Sequence, residues 1–194
     1  PPCPNDSGSA LGVAACGARK EGHNHLEWSV YCGPEPKPFH GRSGWREQSR
    51  FSASLFAKEL AHSPMEPIVV IDGRLELGPR ALGNRSIISS PVDRRMQVKL
   101  NKVKRREDWR PIAPICKEER APDFFSPGTP DPYMLFDHDC LQLTTELCPA
   151  IVHRDGSARL QTLSNEDHPF LWSVLDELER LGHPPVVCNT SANN

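Results

Sequence analysis

The segment DGRLELGPRALGNRSI, residues 72 to 87, places Arg74, Arg80 and Arg85 on a loop bent by glycine and proline. The loop directly follows the apolar run IVVI at residues 68 to 71. Guanidinium groups this close repel one another unless an anion lies between them, and their planar donor arrays match phosphate in bidentate fashion. The chemistry that this segment indicates is anion binding.

Further cationic and polar groups follow downstream. Arg159 stands just after the turn dipeptide Asp155-Gly156, in a stretch typical of a strand, where an inward-pointing arginine needs an anion. The residues Asn-Thr-Ser at 189 to 191 follow an apolar run, and the carboxyl ends of strands are where open α/β sheets usually bind ligands. A basic segment contributes Lys99, Lys102, Lys104, Arg105, Arg106 and Arg110. Together these groups predict a cavity for one or several phosphates.

The residues alone leave other interpretations open. The basic segment also contains acids, so it is equally typical of a solvated mixed-charge helix. The loop around Arg80 could be a turn with a surface arginine, and Arg159 could pair across strands with Glu146. Basic residues beside Trp109 could also bind RNA phosphates, although the chain has a net charge of −2 and carries no RNA-binding signature.

Composition excludes several classes of protein. The chain has 194 residues, enough for one domain with a buried core. No apolar stretch of about 18 residues predicts a membrane-spanning helix. The seven cysteines form no CxxC pair, so neither a zinc knuckle nor a disulfide framework is indicated. Reduced thiols predict a cytoplasmic protein.

The elements that must position these residues mix helices and strands without strict alternation, which favours an α/β fold with a mixed sheet. Helices are predicted at SRFSASLFAKELA, from about Asp93 through Val103, and at EDHPFLWSVLDELERLG. Strands are predicted at PIVVI, DPYMLF, LQLTTEL and VVCNTS, and a hairpin at AIVHRDGSARLQTLS. Residues 1–20 lead into a helix of small residues and are expected to be the end of a preceding domain, and residues 21–48, rich in Gly, Pro and Ser, a connector.

Several sequence blocks occur here in one order: GRLELGPRALGNRSI, NKVKRREDWRPIAP, DPYMLF, PAIVHRDGSARLQTLS and NTSAN. They resemble the C-terminal part of the O-carbamoyltransferase family, which includes nodulation carbamoyltransferases and those that modify tobramycin, novobiocin and cephamycin. The resemblance runs from about residue 66 to the end, with a shorter match at PPCPNDSGSALG.

The resemblance implies a two-domain enzyme. Residues 49–194 would form a YrdC-like domain, a twisted mixed sheet with flanking helices that makes carbamoyl adenylate from carbamoyl phosphate and ATP. Residues 1–20 would be a remnant of an N-terminal actin/hexokinase-like domain, similar to tRNA threonylcarbamoyltransferase. That domain, with a divalent metal (iron or magnesium), would pass the carbamoyl group to a hydroxyl of a sugar, Nod factor or antibiotic. No membrane or nucleic acid is implied.

The family motifs also imply roles for single residues. Those matched to carbamoyl phosphate and ATP binding are Arg80, Arg85, Lys104, Arg110, Arg159, Asn189 and Ser191, and Arg80, Lys104 and Arg110 are also matched to catalysis. Asp6 matches a metal ligand of the N-terminal domain, whose His-x-x-x-His partner motif does not occur in this chain.

Two departures from the family pattern stand out. NTSAN replaces the family's NTSFN, and relatives continue beyond the position of Asn194, so the domain is expected to be truncated at its C-terminus and the isolated chain could lack activity. The alternative function is a non-catalytic phosphate- or RNA-binding module with the same fold.

Overall fold

The computed structural model describes residue 3 and residues 8–25, 29–37 and 52–193 of the chain. A five-stranded mixed sheet with flanking helices forms its centre, which confirms the α/β fold with a mixed sheet. The helices are α1 Ser9–Lys20, α2 Ala53–His62, α3 Arg95–Val103, α4 Ala121–Phe124, α5 Gln142–Leu147 and α6 Pro169–Arg180. The strands are β1 Ile68–Ile71, β2 Arg85–Ser89, β3 Ala113–Lys117, β4 Phe125–Ser126, β5 His138–Cys140, β6 Ser157–Ala158, β7 Gln161–Leu163 and β8 Val186–Ser191.

The main sheet has the strand order β1-β2-β8-β3-β7. The pairs from β1 to β3 are antiparallel, whereas β3 and β7 are parallel. Asn189 on the central strand β8 lies opposite Ile88 on one side and Ala113 on the other. A second, three-stranded antiparallel sheet has the order β4-β5-β6. The polar end of β8 therefore lies in the middle of the main sheet.

Two helices, α2 and α6, cover one part of the core. The stripe Leu171, Val174, Leu175 and Leu178 of α6 is buried together with Phe56 and Leu60 of α2 and with the sheet residues Ile88, Ile115 and Val187. Helix α6 is capped at its start by His168, whose Nδ1 accepts the Leu171 N–H at 3.3 Å. Helix α2 begins after Ser52, whose hydroxyl accepts the Leu55 N–H at 3.2 Å.

A buried lysine fastens α6 to the sheet. Lys117 at the end of β3 is 5% exposed, and its Nζ donates to Asp176 at 3.0 Å and to Glu179 at 3.1 Å. The ammonium also lies 4.7 Å from the centroid of the Trp172 ring. The lysine thus satisfies its donors with carboxylates and an aromatic face, which is the condition under which a buried charge is tolerated.

A second core cluster lies around α3, β4 and the segment 148–152, and it includes Met96, Leu100, Phe124 and Phe125. Cys116, Cys148 and Cys188 are buried within it. All seven cysteines are free thiols, as the absence of a disulfide framework in the sequence predicts. In the described part of the chain, no helix combines the length and apolar character that crossing a membrane requires.

Three local predictions were wrong. LQLTTEL contains helix α5, with Thr144 as its buried residue. DPYMLF is a turn, because the Asp131 carboxylate accepts the N–H groups of Leu135 and Phe136 at 2.9 and 2.8 Å. The predicted hairpin at 150–164 is a turn at Asp155-Gly156 whose following strand, β6, pairs with β5.

The N-terminal helix α1 forms where the small-residue helix was predicted, but it has no buried residue among those described. Residues 30–34 run beside the loop between β1 and β2, where the Leu77 N–H donates to the Val30 carbonyl at 2.7 Å and the Gly33 N–H donates to the Leu75 carbonyl at 2.9 Å.

Candidate anion-binding site

A cavity of about 190 Å³ lies where the loop between β1 and β2 meets the end of β8. We call residues 72–84 the arginine loop and this space the arginine cavity. Its polar lining consists chiefly of Arg80, Arg106, His153, Arg159, Asn189 and Ser191. No aspartate or glutamate is among the described residues that line it. The cavity therefore carries an excess of positive charge, as an anion site requires.

The arginine loop is closed by one buried carboxylate. Glu76 is 6% exposed, and its Oε1 accepts the backbone N–H of Leu82 at 2.6 Å and of Arg85 at 3.2 Å. Asn84 adds a second closure by donating from Nδ2 to the Arg74 carbonyl at 2.7 Å. Gly83 has a φ of +116°, a conformation that side chains disfavour, so glycine is needed for the chain to turn here.

Side chains of the sheet also hold the arginine loop by donating to its backbone carbonyls. Asn189 Nδ2 donates to the Ala81 carbonyl at 2.8 Å and to Gln161 Oε1 at 3.3 Å. The Leu82 carbonyl accepts from Gln161 Nε2 at 3.0 Å and from the Tyr31 hydroxyl at 2.9 Å. Buried amides of β7 and β8 thus fix the loop segment that follows Arg80 directly.

Positively charged side chains in and beside the arginine cavity repel one another. Burial lowers the pKa of Arg80, and the neighbouring Arg159 lowers it further. The pKa of Arg106 is lowered by burial and then by Arg110. Arg159 has one weak acidic neighbour, Asp137, whose Oδ1 lies 4.0 Å from its Nε. An anion in the cavity would relieve this repulsion, because it would bring the opposite charge to guanidiniums that have already lost part of their hydration.

Lys104 supports the edge of the site. Its Nζ donates to the backbone carbonyl of Ser191 at 2.7 Å and to the Ser191 hydroxyl at 3.3 Å, and it also contacts Asn193. Burial lowers the Lys104 pKa, and Arg106 and Arg85 lower it further. Lys104 therefore reaches the cavity through Ser191 and is not itself a lining residue.

The sequence-predicted site residues separate into three groups. Arg80, Arg159, Asn189 and Ser191 line one cavity, and Lys104 contacts Ser191. Arg85 and Arg110 are not among the lining residues. The binding role of each residue stays a prediction, and Asp6 lies outside the described residues.

Arg85 and Arg110 have different surroundings. Arg85 begins β2, and its buried Nε has no hydrogen-bond partner among the described residues. Arg110 is half-exposed, and its Nε donates to Glu107 Oε2 at 2.7 Å. Arg110 is therefore paired with Glu107 beside the cavity, near enough to Arg106 to lower its pKa, and its place in the binding site stays a prediction.

Two charged or ionisable lining residues, Arg106 and His153, were not singled out from the sequence. Arg106 belongs to the predicted basic segment, and its Nε donates to Asn101 Oδ1 at 2.5 Å. His153 precedes the Asp155-Gly156 turn, its Nδ1 lies 3.2 Å from the Ser157 hydroxyl, and burial lowers its pKa. The only sequence signal for Arg106 was its place two residues after Lys104, and His153 had none beyond its nearness to the turn.

The alternative ion pair suggested for Arg159 does not form. Glu146 accepts from its own helix neighbour Gln142 at 2.8 Å, and the acid near Arg159 is Asp137. No cluster of three or more His, Cys, Asp or Glu side chains suited to a metal ion occurs within residues 8–25, 29–37 and 52–193.

The mixed sheet and the arginine cavity define an α/β domain with a polybasic site at the end of its central strand. Residues 57–194 match the family described as the carbamoyltransferase C-terminus. The chain belongs to this family.

Curated relatives match along the whole chain. Nodulation protein U of Rhizobium fredii is 51% identical over 194 residues, which cover 100% of this chain and 33% of the relative. The 3'-hydroxymethylcephem-O-carbamoyltransferase of Amycolatopsis lactamdurans is 37% identical over 199 residues, covering 99% of this chain and 36% of that enzyme. Nodulation protein NolO of Bradyrhizobium diazoefficiens is 34% identical over 209 residues, which cover 100% of this chain and 38% of the relative. The chain thus spans about a third of the length of these relatives.

Proposed function

We propose that this chain is a YrdC-like domain that forms carbamoyl adenylate from carbamoyl phosphate and ATP. The observation that carries the proposal is the arginine cavity, in which Arg80, Arg106 and Arg159 meet without an acid among the described lining residues. Membership of the carbamoyltransferase C-terminal family supports the carbamoyl group as the cargo. The name of the cephem relative, an O-carbamoyltransferase, supports a hydroxyl as its final acceptor.

The proposed reaction has two steps. Water first cleaves carbamoyl phosphate to carbamate and inorganic phosphate. A carbamate oxygen then attacks the α-phosphorus of ATP, the bond to the bridging oxygen of the β-phosphate breaks, and pyrophosphate leaves. Both steps develop negative charge on phosphoryl oxygens, and fixed cations that neutralise this charge lower the barrier. No covalent enzyme intermediate is required.

The residues around the cavity would contact the phosphates from different sides. Arg80 and Arg159 would bind phosphoryl oxygens from two sides. The Ser191 hydroxyl accepts from Lys104 and donates to Asn193 Oδ1 at 2.5 Å, so it would donate to a phosphate from a third side only after leaving Asn193. Arg106 is a further candidate for phosphate binding. For Arg110 to take part as its family motif implies, its guanidinium would have to leave Glu107.

We propose that a separate N-terminal domain transfers the carbamoyl group to a sugar, Nod factor or antibiotic hydroxyl in the cytoplasm. Asp6 would contribute to the divalent metal site of that domain only together with histidines from outside this chain. All steps assigned to the described residues concern phosphate binding and adenylate formation.

Calorimetric titration with carbamoyl phosphate tests the proposal directly. Arg80→Ala should weaken binding by about 1.5–3 kcal/mol, the range for hydrogen bonds to charged groups. Arg95→Ala is the matched control, because Arg95 is an exposed arginine paired with Asp93 outside the cavity. Equal affinities in the wild type and Arg80→Ala would contradict the proposal.

The enzymatic step has its own readout. Incubation with carbamoyl phosphate and ATP should release pyrophosphate, and an added hydroxylated acceptor should remain unmodified in mass spectra. A carbamoylated acceptor would show that transfer also takes place in this chain. Tight RNA binding with a steep salt dependence, and no response to carbamoyl phosphate, would instead identify the non-catalytic alternative.

A further inference from the structure

A second cavity, of about 390 Å³, adjoins the arginine cavity. The two cavities share Pro111 and His153 as lining residues. The other side chains around the second cavity include Gln97, Trp109, Arg154 and Asp155. Its volume is within the range of about 300–1,000 Å³ that is typical of small-molecule sites. We call it the tryptophan cavity.

The wall of this cavity combines an aromatic ring with a cation. Trp109 is 56% exposed, and the Arg154 guanidinium lies 5.9 Å from the centroid of its ring. Single exposed hydrophobic residues are ordinary on protein surfaces. An exposed indole that lines a cavity beside a guanidinium is more specific, because both flat groups can stack on a planar ligand.

The backbone that carries Trp109 is held in place. Gln97 Nε2 donates to the Arg110 carbonyl at 3.0 Å and to the Trp109 carbonyl at 3.4 Å, and Asn101 Nδ2 donates to the Arg110 carbonyl at 2.9 Å. Helix α3 therefore fixes the position from which the indole projects. A stacking surface that is fixed before binding costs less conformational entropy when the ligand arrives.

The adjoining cavities suit the two ends of one molecule. The arginine cavity offers cations for phosphates, whereas the tryptophan cavity offers a flat aromatic face. We propose that Trp109 and Arg154 form a stacking site for the base of a nucleoside triphosphate whose phosphates lie in the arginine cavity. This inference rests on the proposed function, and it adds the position and the means of base recognition.

The polar groups near the indole indicate weak discrimination between bases. Gln97 Nε2 donates to the Trp109 and Arg110 carbonyls, and Asp155 Oδ1 accepts from the Ser157 N–H at 3.1 Å and from its hydroxyl at 2.8 Å. Stacking on an aromatic ring tolerates every base, because each base has a π face. ATP and GTP should therefore bind with affinities within about threefold of each other, well below the discrimination that a dedicated hydrogen bond gives.

Binding of ATP and of inorganic tripolyphosphate, each without carbamoyl phosphate, tests the inference on the whole chain. Trp109→Ala should weaken ATP binding by about 5- to 150-fold, the range for loss of one base-stacking contact. Tripolyphosphate affinity should stay unchanged, which would also show that the variant is folded. Trp109→Phe should retain most of the ATP affinity, and Phe136→Ala, which removes another exposed aromatic residue, should retain all of it.

The possible failures are distinct. If Trp109→Ala leaves ATP affinity intact, or weakens both ligands equally, the stacking site is wrong. The same holds if the wild type binds tripolyphosphate as tightly as ATP, although the anion site and the proposed function would then stand. If the wild type binds neither ligand, the proposed function is wrong, and this inference with it.

Discussion

Oε1 of Glu76 accepts the Leu82 N–H at 2.6 Å, so a buried carboxylate bridges the arginine loop across the segment that carries Arg80. Glu76→Ala should destabilise the chain by about 1–3 kcal/mol, because the N–H groups of Leu82 and Arg85 lose a buried acceptor. It should also weaken phosphate binding, since Arg80 would no longer be held in place. Urea unfolding and phosphate titration measure the two effects.

Glu76→Gln is the matched control for this closure. Its amide oxygen can still accept both N–H groups, so its stability and phosphate affinity should lie much closer to the wild type than those of Glu76→Ala. If the two variants lose phosphate affinity equally, the charge of Glu76 and not its closure of the loop would be the determining property.

Arg159 should matter for binding and little for stability. Its nearest acid is 4.0 Å away, and it repels Arg80, so Arg159→Ala should change the free energy of unfolding by less than about 1 kcal/mol. The same change should weaken carbamoyl phosphate binding by about 1.5–3 kcal/mol. Denaturant unfolding without ligand and calorimetry with ligand separate these effects. A large loss of stability would show that Arg159 serves mainly to hold the fold together.

His168 should make stability depend on pH. Its Nδ1 accepts the Leu171 N–H only while unprotonated, and burial lowers its pKa from the ordinary value near 6.5. Below that value the unfolded chain takes up a proton that the folded chain resists, so the free energy of unfolding falls as the pH falls. His168→Asn keeps a capping oxygen that does not titrate.

The comparison of His168→Asn with the wild type isolates this contribution from the other histidines. Urea unfolding at several pH values between about 7.5 and 5 should give a shallower loss of stability for the variant. Parallel curves would mean that the His168 cap does not respond to protonation.

Gly83 should tolerate no side chain. At its φ of +116°, an added Cβ would lie 2.8 Å from Leu171 Cδ1 and 2.9 Å from His168 Cδ2. Gly83→Ala should therefore cost at least about 1–3 kcal/mol from backbone strain, with overpacking in addition. Gly182→Ala is the control, since Gly182 has a φ of +82° and open space around the added Cβ. Thermal unfolding should show a larger loss of stability for Gly83→Ala than for Gly182→Ala. Equal losses would show that the contacts of the added Cβ with Leu171 and His168 cost nothing.

The sequence predicted the elements whose burial follows a regular period. The leucine stripe of α6 faces one core cluster, and the apolar run of β8 is buried between two, with Val187 in one and Val186 and Cys188 in the other, so local pattern and tertiary packing agree. The alternating leucines of LQLTTEL predicted a strand, but the segment is a helix. Its buried residue is Thr144, whose hydroxyl donates to the Phe124 carbonyl 20 residues away. DPYMLF misled because the Asp131 carboxylate binds two backbone N–H groups, a local effect that apolar content does not reveal.

In the candidate site, the residue types predicted anion binding, but the sequence did not show which side chains point into the cavity. Arg106 and Arg110 lie four residues apart in one basic segment, yet only Arg106 lines the cavity. Arg105 has a φ of +50°, which redirects the chain just before Arg106, and Asn101 holds the Arg106 guanidinium from α3. Neither contact belongs to a periodic pattern, so sequence reasoning could not choose between the two arginines.

The last of the described strands lies in the centre of the main sheet, with β2 on one side and β3 on the other. β1 and β2 can pair with each other, and so can β3 and β7, but only β8 connects β2 with β3 in the sheet; helix α6 contacts both parts through the core. Chains begin to fold while they are being made, so the facing edges of β2 and β3 in a nascent protein should stay unpaired until β8 has been translated. Asn189 and Ser191 belong to that strand, so the arginine cavity gains its complete lining, and with it its ligand affinity, only when β8 takes its place between β2 and β3.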